Sequence, residues 1–313
     1  KPFIMYSCVE NDFLIRRTDG ATRWEDTRGN QYSREEYEER LPFLNVRQLM
    51  ISGKMKDTIN GVAMDPHEMN MNWSVFSFKP ADLRTPDPGL WPLFESESGR
   101  ANLEMPEDFF RITWRMEFIH AKTNKILEEK SRKFSAALYN RAFEFPALKV
   151  SGIPTTRKSC DEGYFIIDSQ HQLFHLKMIK GDPYIRKVEL PEQNRFLHIA
   201  CVDLRDKKYY AYLFDDKGDI HILTQDDYEL VKLPVGNFHP EREELRIYGD
   251  LFHYNVIPSG EGFIRDVVLD KQFGKVTEYN ESWPARAETG SGLWFAGLFP
   301  FQLSLSDENS NFH

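Results

Sequence analysis

The segment from Met64 to Met71 concentrates side chains that could bind a soft metal ion. It reads Met64-Asp-Pro-His67-Glu-Met69-Asn-Met71, and eight of the nine methionines of the chain lie before residue 120. Thioether and imidazole groups together suit Cu(I), and in a β-strand Met69 and Met71 would lie on the same face. Methionines also fill irregular gaps in hydrophobic cores. The segment therefore predicts either a copper site formed by Met64, His67, Met69 and Met71 or ordinary core packing.

Adjacent carboxylates recur along the chain and could support glycosidase chemistry, which needs two carboxylates at a suitable separation but has no short sequence motif. Most such pairs in an acidic protein are solvated turns. Asp161 and Glu162 differ from the others because Arg157 and Lys158 precede them and a predicted strand follows. The pairs are Asp161-Glu162, Asp215-Asp216, Asp226-Asp227 and Glu243-Glu244.

A proline-rich segment, residues 79–106, is too long for a simple turn and is predicted to be a loop. A loop of this length in a compact domain usually carries function. Together with the charged group at residues 157–162, it predicts a mixed aromatic and charged rim that binds a ligand. The predicted ligand-binding residues are Trp91, Glu95, Glu97, Arg100, Arg157, Lys158, Asp161 and Glu162.

Other candidate motifs do not indicate a specific chemistry. His171 and His175 are four residues apart, but the pattern places them in a turn and a strand, so a metal pair is not expected. The acidic run Asp215–Asp219 lacks the alternating ligands of an EF-hand loop and indicates a solvated hairpin turn. The sequence contains no P-loop, HExxH, GxSxG or strand-linked GxGxxG motif, which argues against the common nucleotide-binding, zinc-protease and serine-hydrolase classes. No cofactor is predicted.

Composition excludes several broad classes of protein. The 313 residues include 24 Phe, 13 Tyr and 6 Trp, a content too aromatic for a disordered chain. Lys and Arg number 40 against 49 Asp and Glu, a net charge of −9 that argues against a nucleic-acid partner. Three cysteines provide no disulfide framework. No apolar stretch reaches the roughly 20 residues that span a bilayer, so no membrane span is predicted within the chain.

The second half of the chain consists of short runs of β-branched and aromatic residues separated by turn residues. Runs cut by Gly, Pro, Asn and Asp in this way indicate antiparallel hairpins. The helices that a parallel sheet needs between its strands are missing from the pattern. The runs are Tyr164–Asp168, Leu173–Ile179, Tyr184–Leu190, Phe196–Val202 and Lys208–Phe214.

The hairpin turns recur at a similar spacing. The turn Asp168–Leu173 has counterparts 47 residues later at Asp215–Ile220 and 47 residues earlier at Ala121–Ile126. A further counterpart lies within Leu269–Val276, 55 residues after Asp215. A period of about 45 residues with four strands per unit is typical of a β-propeller blade. The sequence therefore predicts an all-β, β-propeller-like array of antiparallel four-stranded blades, with another β-sandwich arrangement as the alternative.

The pattern indicates a single domain over residues 1–313. Residues 1–111 are less regular, residues 112–290 carry the clearest repeats, and residues 291–313 are expected to supply a closing strand and a tail. The strand predicted at Phe3–Ile15 could close the array by pairing with Leu293–Leu305, since closure removes exposed sheet edges. Short helical insertions are predicted at Glu35–Leu41, after the capping box Ser33–Glu36, and at Arg132–Phe143.

Several phrases resemble an uncharacterised family of Bacteroides and related bacteria, known as a domain of unknown function. They are Leu93–Arg100, Leu103–Arg111, Phe145-Pro146, Asp161–Phe165, Phe174–Lys177 and Gly181–Tyr184. The resemblance implies an extracytoplasmic, periplasmic protein that is anchored by an N-terminal segment absent from this chain and encoded near transport components. No catalytic residue is established for that family, so the resemblance assigns none here.

These observations favour a non-enzymatic, extracytoplasmic binding or scaffold module. Its partner would be a protein or a small ligand, and the resemblance adds components of a membrane transport system. Because propellers host both enzymes and scaffolds, the fold alone does not decide this point. A propeller-type glycoside hydrolase that uses paired carboxylates and a copper-handling protein that uses Met64–Met71 are the alternatives.

Overall fold

The computed structural model of the protein describes residues 1–100, 102–191 and 194–284, together with the backbone of two short strands at 305–306 and 311–312. Most of the described strands form five antiparallel sheets, which we number I to V. Sheet I contains β1 (Phe3–Ser7), β2 (Asp12–Arg17), β3 (Arg23–Asp26) and β4 (Gln31–Tyr32). Two small hairpins lie outside these sheets: β5 (Thr58–Ile59) with β6 (Val62–Ala63), and β23 (Leu305–Ser306) with β24 (Asn311–Phe312).

Sheets II to V follow one another along the chain, apart from one strand. Sheet V takes its edge strand, β7 (Ser74–Phe78), from a segment that precedes sheet II. Sheet II contains β8 (Trp91–Pro92), β9 (Asp108–Ile112) and β10 (Met116–His120). Sheet III contains β11 (Lys149–Gly152), β12 (Tyr164–Ile167), β13 (Leu173–Ile179) and β14 (Asp182–Val188). Sheet IV contains β15 (Phe196–Cys201), β16 (Tyr209–Asp215), β17 (Ile220–Thr224) and β18 (Leu230–Lys232). Sheet V is completed by β19 (Glu244–Gly249), β20 (Tyr254–Gly260), β21 (Phe263–Leu269) and β22 (Lys275–Ser282).

Helices occupy the connections between strands. Their bounds are α1 (Arg34–Arg40), α2 (Val46–Ile51), α3 (Pro66–Asn72), α4 (Pro80–Arg84) and α5 (Glu128–Tyr139). The predicted capping box is present, since the Ser33 hydroxyl accepts from the amide of Glu36 and the Glu36 carboxylate accepts from the amide of Ser33. The helix predicted at Arg132–Phe143 begins and ends four residues earlier, as α5. The predictions of an all-β fold and of short helical insertions are confirmed. Among the described residues, no helix is long and apolar enough to cross a membrane.

Four hydrophobic clusters show which sheets pack against each other. One cluster joins sheets II and III, a second joins III and IV, a third joins IV and V, and a fourth joins V and I. The sheets are therefore stacked in the order II–III–IV–V–I, and the N-terminal sheet packs on the last one. Each sheet alternates its side chains between two faces, so both faces of the inner sheets are apolar.

One type of turn recurs in four of the hairpins. In each turn, one aspartate oxygen accepts hydrogen bonds from the backbone amides two and four residues later, at 2.8–3.0 Å. Asp168 and Asp215 join the second and third strands of sheets III and IV, as their predicted equivalence requires. Asp26 and Asp270 instead join the last two strands of sheets I and V. The four hairpins therefore share the chemistry of the turn, whereas the equivalence predicted for Leu269–Val276 is wrong because that turn joins a different pair of strands.

The structure differs from three local expectations in the first half of the chain. Residues 3–15 form two strands rather than one, because a turn that contains Asn11, with a φ of 51°, reverses the chain between β1 and β2. The segment 79–106, predicted to be a loop, contains α4 and β8. Met69 and Met71 would share a face only in a strand, but they lie on α3, which has Pro66 in its first turn and is capped by the Asp65 carboxylate. The predicted closing strand at 293–305 lies almost entirely outside the described residues.

Candidate functional site

An open cleft of about 740 Å³ lies where sheet I, α1 and sheet V meet. Strands β1, β2 and β3 form its floor, since Phe3 is paired with Arg16 and Arg16 with Trp24 in the strand register. Directly paired residues in an antiparallel sheet project from the same face, so these three side chains form one row. The Arg16 guanidinium lies 5.3 Å from the centre of the Phe3 ring, within the range of a cation–π interaction.

Three arginines give the cleft a positive charge in an acidic protein. Arg34 donates to the carboxylate of Glu38 at 2.7 Å, so these two charges are paired. Within the part of the chain that the structure describes, neither Arg16 nor Arg246 forms an ion pair. Both side chains line the cleft, Arg16 from β2 and Arg246 from β19. Two guanidinium groups are therefore free to bind an anion there.

Aromatic groups and one buried hydroxyl complete the cleft. The ring of Tyr248, on β19, meets the Phe3 ring edge-on with centroids 6.2 Å apart. Tyr37, on α1, is only 4% exposed, and its hydroxyl has no hydrogen-bond partner among the described residues. Burial raises the pKa of Tyr37, so the hydroxyl is a neutral donor at physiological pH. A buried hydroxyl without a partner is destabilising, which makes Tyr37 available to a ligand.

The structure distributes the predicted rim residues of segment 79–106 over core and surface positions. Trp91 is buried between sheets II and III, with its ring centroid 5.6 Å from that of Phe110, and does not lie on an exposed rim. The Glu95 carboxylate accepts from the backbone amides of residues 180 and 181 at 2.7 and 2.9 Å. Glu97 is exposed, and Arg100 is paired with a glutamate four residues later. These four residues are not assembled into one site.

The second group of predicted rim residues contains a buried ion pair. Lys158 donates to Asp161 at 2.5 Å, and both side chains are almost completely buried. The hydroxyl of Ser96 donates to the other oxygen of Asp161, so the two predicted segments do meet at this point. Glu162 is paired with Lys177, whereas Arg157 is exposed. The contacts explain these charges as a structural anchor between loop and sheet.

The predicted copper ligands are only partly brought together. Met69 is buried on α3 and shares a hydrophobic cluster with Met64, Met55 and the buried Cys8. Burial raises the pKa of the Cys8 thiol to about 12, so the thiol is protonated at physiological pH. The His67 side chain is 75% exposed and lies beside a glutamate rather than in this cluster. Met71 is half-buried and lies outside the cluster.

The two histidines considered in the sequence analysis, His171 and His175, occupy structural positions in sheet III. His175 is completely buried, with one ring nitrogen 2.7 Å from the Tyr228 hydroxyl and the other 2.5 Å from the carbonyl oxygen of Glu162. Burial lowers its pKa to about 3, which keeps the ring neutral. His171, in contrast, lies in the turn that Asp168 caps.

One cluster has the composition of a metal site. Ligand atoms of Asp215, Asp219 and His221 lie within 4.8 Å of one another. However, one oxygen of Asp215 caps the hairpin turn, the other is 2.9 Å from His221, and Asp219 is paired with Lys232 at 2.5 Å. Asp26 caps a turn of the same type, and its second oxygen accepts from the Tyr32 hydroxyl where that of Asp215 contacts His221. The cluster is therefore explained by turn chemistry.

The remaining predicted carboxylate pairs lie at exposed or hydrogen-bonded positions. Asp226 and Asp227 are exposed, and Glu243 accepts from the backbone amide of His239 at 3.1 Å. The edge strands β7, β11 and β15, of sheets V, III and IV, contain no acidic residue.

The arginine cleft was not predicted from the sequence, because its residues come from strands and a helix that are far apart in the chain.

Comparison with known proteins identifies a family but no activity. Residues 3–268 match the model of a family described as a domain of unknown function (DUF4857). Among curated proteins, none matches the chain. The β-propeller domain of Cps50 (Swd1) from Myceliophteria thermophila is 9% identical, with 87% of this chain and 66% of that chain covered and a TM-score of 0.28. Apo AztD from Citrobacter koseri is 14% identical, with 91% and 73% covered and a TM-score of 0.31.

Proposed function

Because the chain belongs to the DUF4857 family, whose description names no activity, we propose a function from its own residues: a ligand-binding module that takes an organic anion in the arginine cleft. The observation that carries the proposal is the unpaired guanidinium of Arg16, which is fixed in register between Phe3 and Trp24 and accompanied by unpaired Arg246.

The chemistry of the cleft favours a carboxylate or phosphate group attached to a flat apolar group. Guanidinium groups bind these anions through two parallel hydrogen bonds and also stack on aromatic faces. Tyr37 adds a buried neutral donor, while Trp24 and Tyr248 supply aromatic surface. The volume of about 740 Å³ lies within the range of small-molecule sites, which is roughly 300–1,000 Å³. Glu38, the acidic residue of the lining, is paired with Arg34. This arrangement supports binding rather than catalysis.

A propeller-like closed array and an extracytoplasmic location belong to the same proposal. The stacking of sheets in the order II–III–IV–V–I supports an array that returns towards its N-terminal sheet. The location on the periplasmic side, the N-terminal anchor and the association with transport components rest on the family resemblance alone. Fractionation of cells that produce the full-length protein would test the location, and recovery in the cytosol would contradict it.

Binding of benzoate and phenyl phosphate, measured by isothermal titration calorimetry, tests the proposed cleft. We expect Arg16→Gln and Arg246→Gln each to weaken binding by about tenfold or more, because a hydrogen bond to a charged group contributes roughly 1.5–3 kcal/mol. Arg23→Gln is the matched control, since Arg23 lies on β3 beside Trp24 but pairs with Asp19 outside the cleft. Failure of both probes to bind at millimolar concentration, or equal binding by the Arg16 variant, would contradict the proposal.

Copper handling is a second candidate, with a ligand set that differs from the predicted one. The observation that favours it is the shared cluster of Cys8, Met55, Met64 and Met69, which places soft sulfur donors together and leaves His67 outside. Competition of the protein with a Cu(I) chelator tests this candidate. Met69→Leu should abolish Cu(I) uptake, because it removes a thioether and keeps the volume, whereas Met178→Leu, on β13, should have no effect. Equal uptake by both variants would refute the candidate.

A further inference from the structure

An apolar groove of about 310 Å³ lies between α2 and α3, next to the arginine cleft. Its walls are formed by side chains that include Phe43, Val46, Met50, Met69 and Trp73. The groove is accessible from the surface, because Met50 is 44% exposed at its edge. A concave groove lined mainly by apolar side chains indicates a binding site for an apolar group.

The groove and the arginine cleft adjoin each other. Leu44, in the connection between α1 and α2, lines both of them. The ring of Trp73 in the groove lies 6.4 Å from the ring of Tyr248, which belongs to the cleft. The two pockets therefore lie side by side, with Arg16 and Arg246 in the cleft and a largely apolar groove, which Arg47 also lines, next to it.

A ligand that satisfies both ends must itself have two ends. The unpaired guanidinium groups of Arg16 and Arg246 complement a carboxylate or phosphate, whereas the walls around Met69 and Trp73 complement an alkyl chain. A compact inorganic anion would leave the groove empty, and a neutral hydrocarbon would leave both arginines unpaired.

This inference rests on the proposed function of the cleft and specifies its ligand. We propose that the protein binds a single-chain anionic amphiphile, with the anionic head group at Arg16 and Arg246 and the alkyl chain along Leu44 into the groove. The arginines complement an anionic head group, and the apolar groove beside them complements an alkyl chain. These two features favour an amphiphile over a second copy of the chain.

Isothermal titration calorimetry of the full chain with a series of alkanoates tests the inference. The series is butyrate, hexanoate, octanoate, decanoate and dodecanoate, each below the concentration at which it aggregates. We expect the affinity to increase about fourfold for each methylene group that becomes buried, until the groove is filled. Dodecanol and dodecyltrimethylammonium have the same chain without the anion, and we expect both to bind at least tenfold more weakly than dodecanoate.

Two matched variants separate the groove from the cleft. Met50→Glu places a charge in the groove wall and should weaken dodecanoate at least tenfold while it leaves benzoate within twofold. Ile51→Glu adds the same charge at the next position, which is 74% exposed and does not line the groove, and should leave both probes within twofold. Arg16→Gln should weaken every alkanoate by the same factor. Thermal unfolding of each variant shows whether it remains folded.

The possible outcomes distinguish the amphiphile from the anion site itself. Benzoate binding without any dependence on alkanoate length would overturn the amphiphile inference and leave the anion cleft standing. Equal binding of dodecanol and dodecanoate would also overturn it, because the head group would then contribute nothing. If Met50→Glu changed the oligomeric state in light scattering and left dodecanoate binding intact, the groove would be a contact between copies. Absence of binding by benzoate and all alkanoates would refute both proposals.

Discussion

Asp266 should make the protein less stable as the pH rises from the acidic range towards neutrality. Its carboxyl group is fully buried on β21, on the face that packs against sheet I, and neither oxygen has a hydrogen-bond partner among the described residues. Burial raises its pKa well above the usual range, since the charged form is poorly solvated there. The folded protein therefore keeps the proton, whereas the unfolded chain releases it near pH 4.

The sign and the size of the effect follow from this difference in bound protons. Above pH 4 the native state binds one more proton than the unfolded state, so the free energy of unfolding falls by about 1.4 kcal/mol per pH unit. The decrease continues until the pH reaches the native pKa of Asp266, and below pH 4 this group has no effect. Asp266→Asn keeps the shape of the side chain and removes the ionisation, so it should remove this slope.

Urea unfolding of the wild-type protein and of Asp266→Asn at pH 4, 5, 6 and 7 measures the effect. The difference between the two free energies of unfolding isolates Asp266, because the other ionisable groups are common to both proteins. We expect the difference to shift in favour of the variant by about 1.4 kcal/mol per pH unit above pH 4. Asp227→Asn, at an exposed position, should show no such trend. A difference that is independent of pH would refute the protonated state of Asp266.

Two further predictions concern the packing of sheets II and III, and urea unfolding checks both. Ser131→Ala should lower the free energy of unfolding by about 1–3 kcal/mol. The Ser131 hydroxyl on α5 accepts a hydrogen bond of 2.9 Å from the buried backbone amide of Phe118, which a strand next to β10 would otherwise accept. Arg132→Ala, at an exposed position of the same helix, should change the free energy of unfolding by less than about 0.5 kcal/mol. Gly163→Ala should cost more than Gly181→Ala, although both glycines have positive φ angles, of 67° and 76°. A Cβ at residue 163 would overlap the carbonyl oxygen of Leu176, whereas one at residue 181 meets no atom within 4 Å, and equal losses would contradict this explanation.

Local signals in the sequence predict much of the fold. The turns capped by Asp168 and Asp215 and the capping box at Ser33 depend on residues within four positions of each other, and the structure contains all three. The pairing of β7 with β19 could not be predicted, because its register depends on packing between segments that are more than 160 residues apart. The segment Met64–Met71 contains the signal for its helix, because an aspartate followed by a proline is typical of a helix start.

The arginine cleft escaped prediction because one turn was missed. The strand predicted at residues 3–15 would separate Phe3 from Arg16 by its whole length, whereas the turn at residues 8–11 brings them into direct pairing. Trp24 joins the same row through the next hairpin. A register shift of one residue would move Arg16 to the opposite face, which packs against sheet V. The charged residues that the sequence favoured are neighbours within each of two short segments, which makes them visible in the sequence. The proposed binding chemistry depends instead on strand register, and the position of Arg16 is fixed by a turn that contains Asn11 in the left-handed conformation.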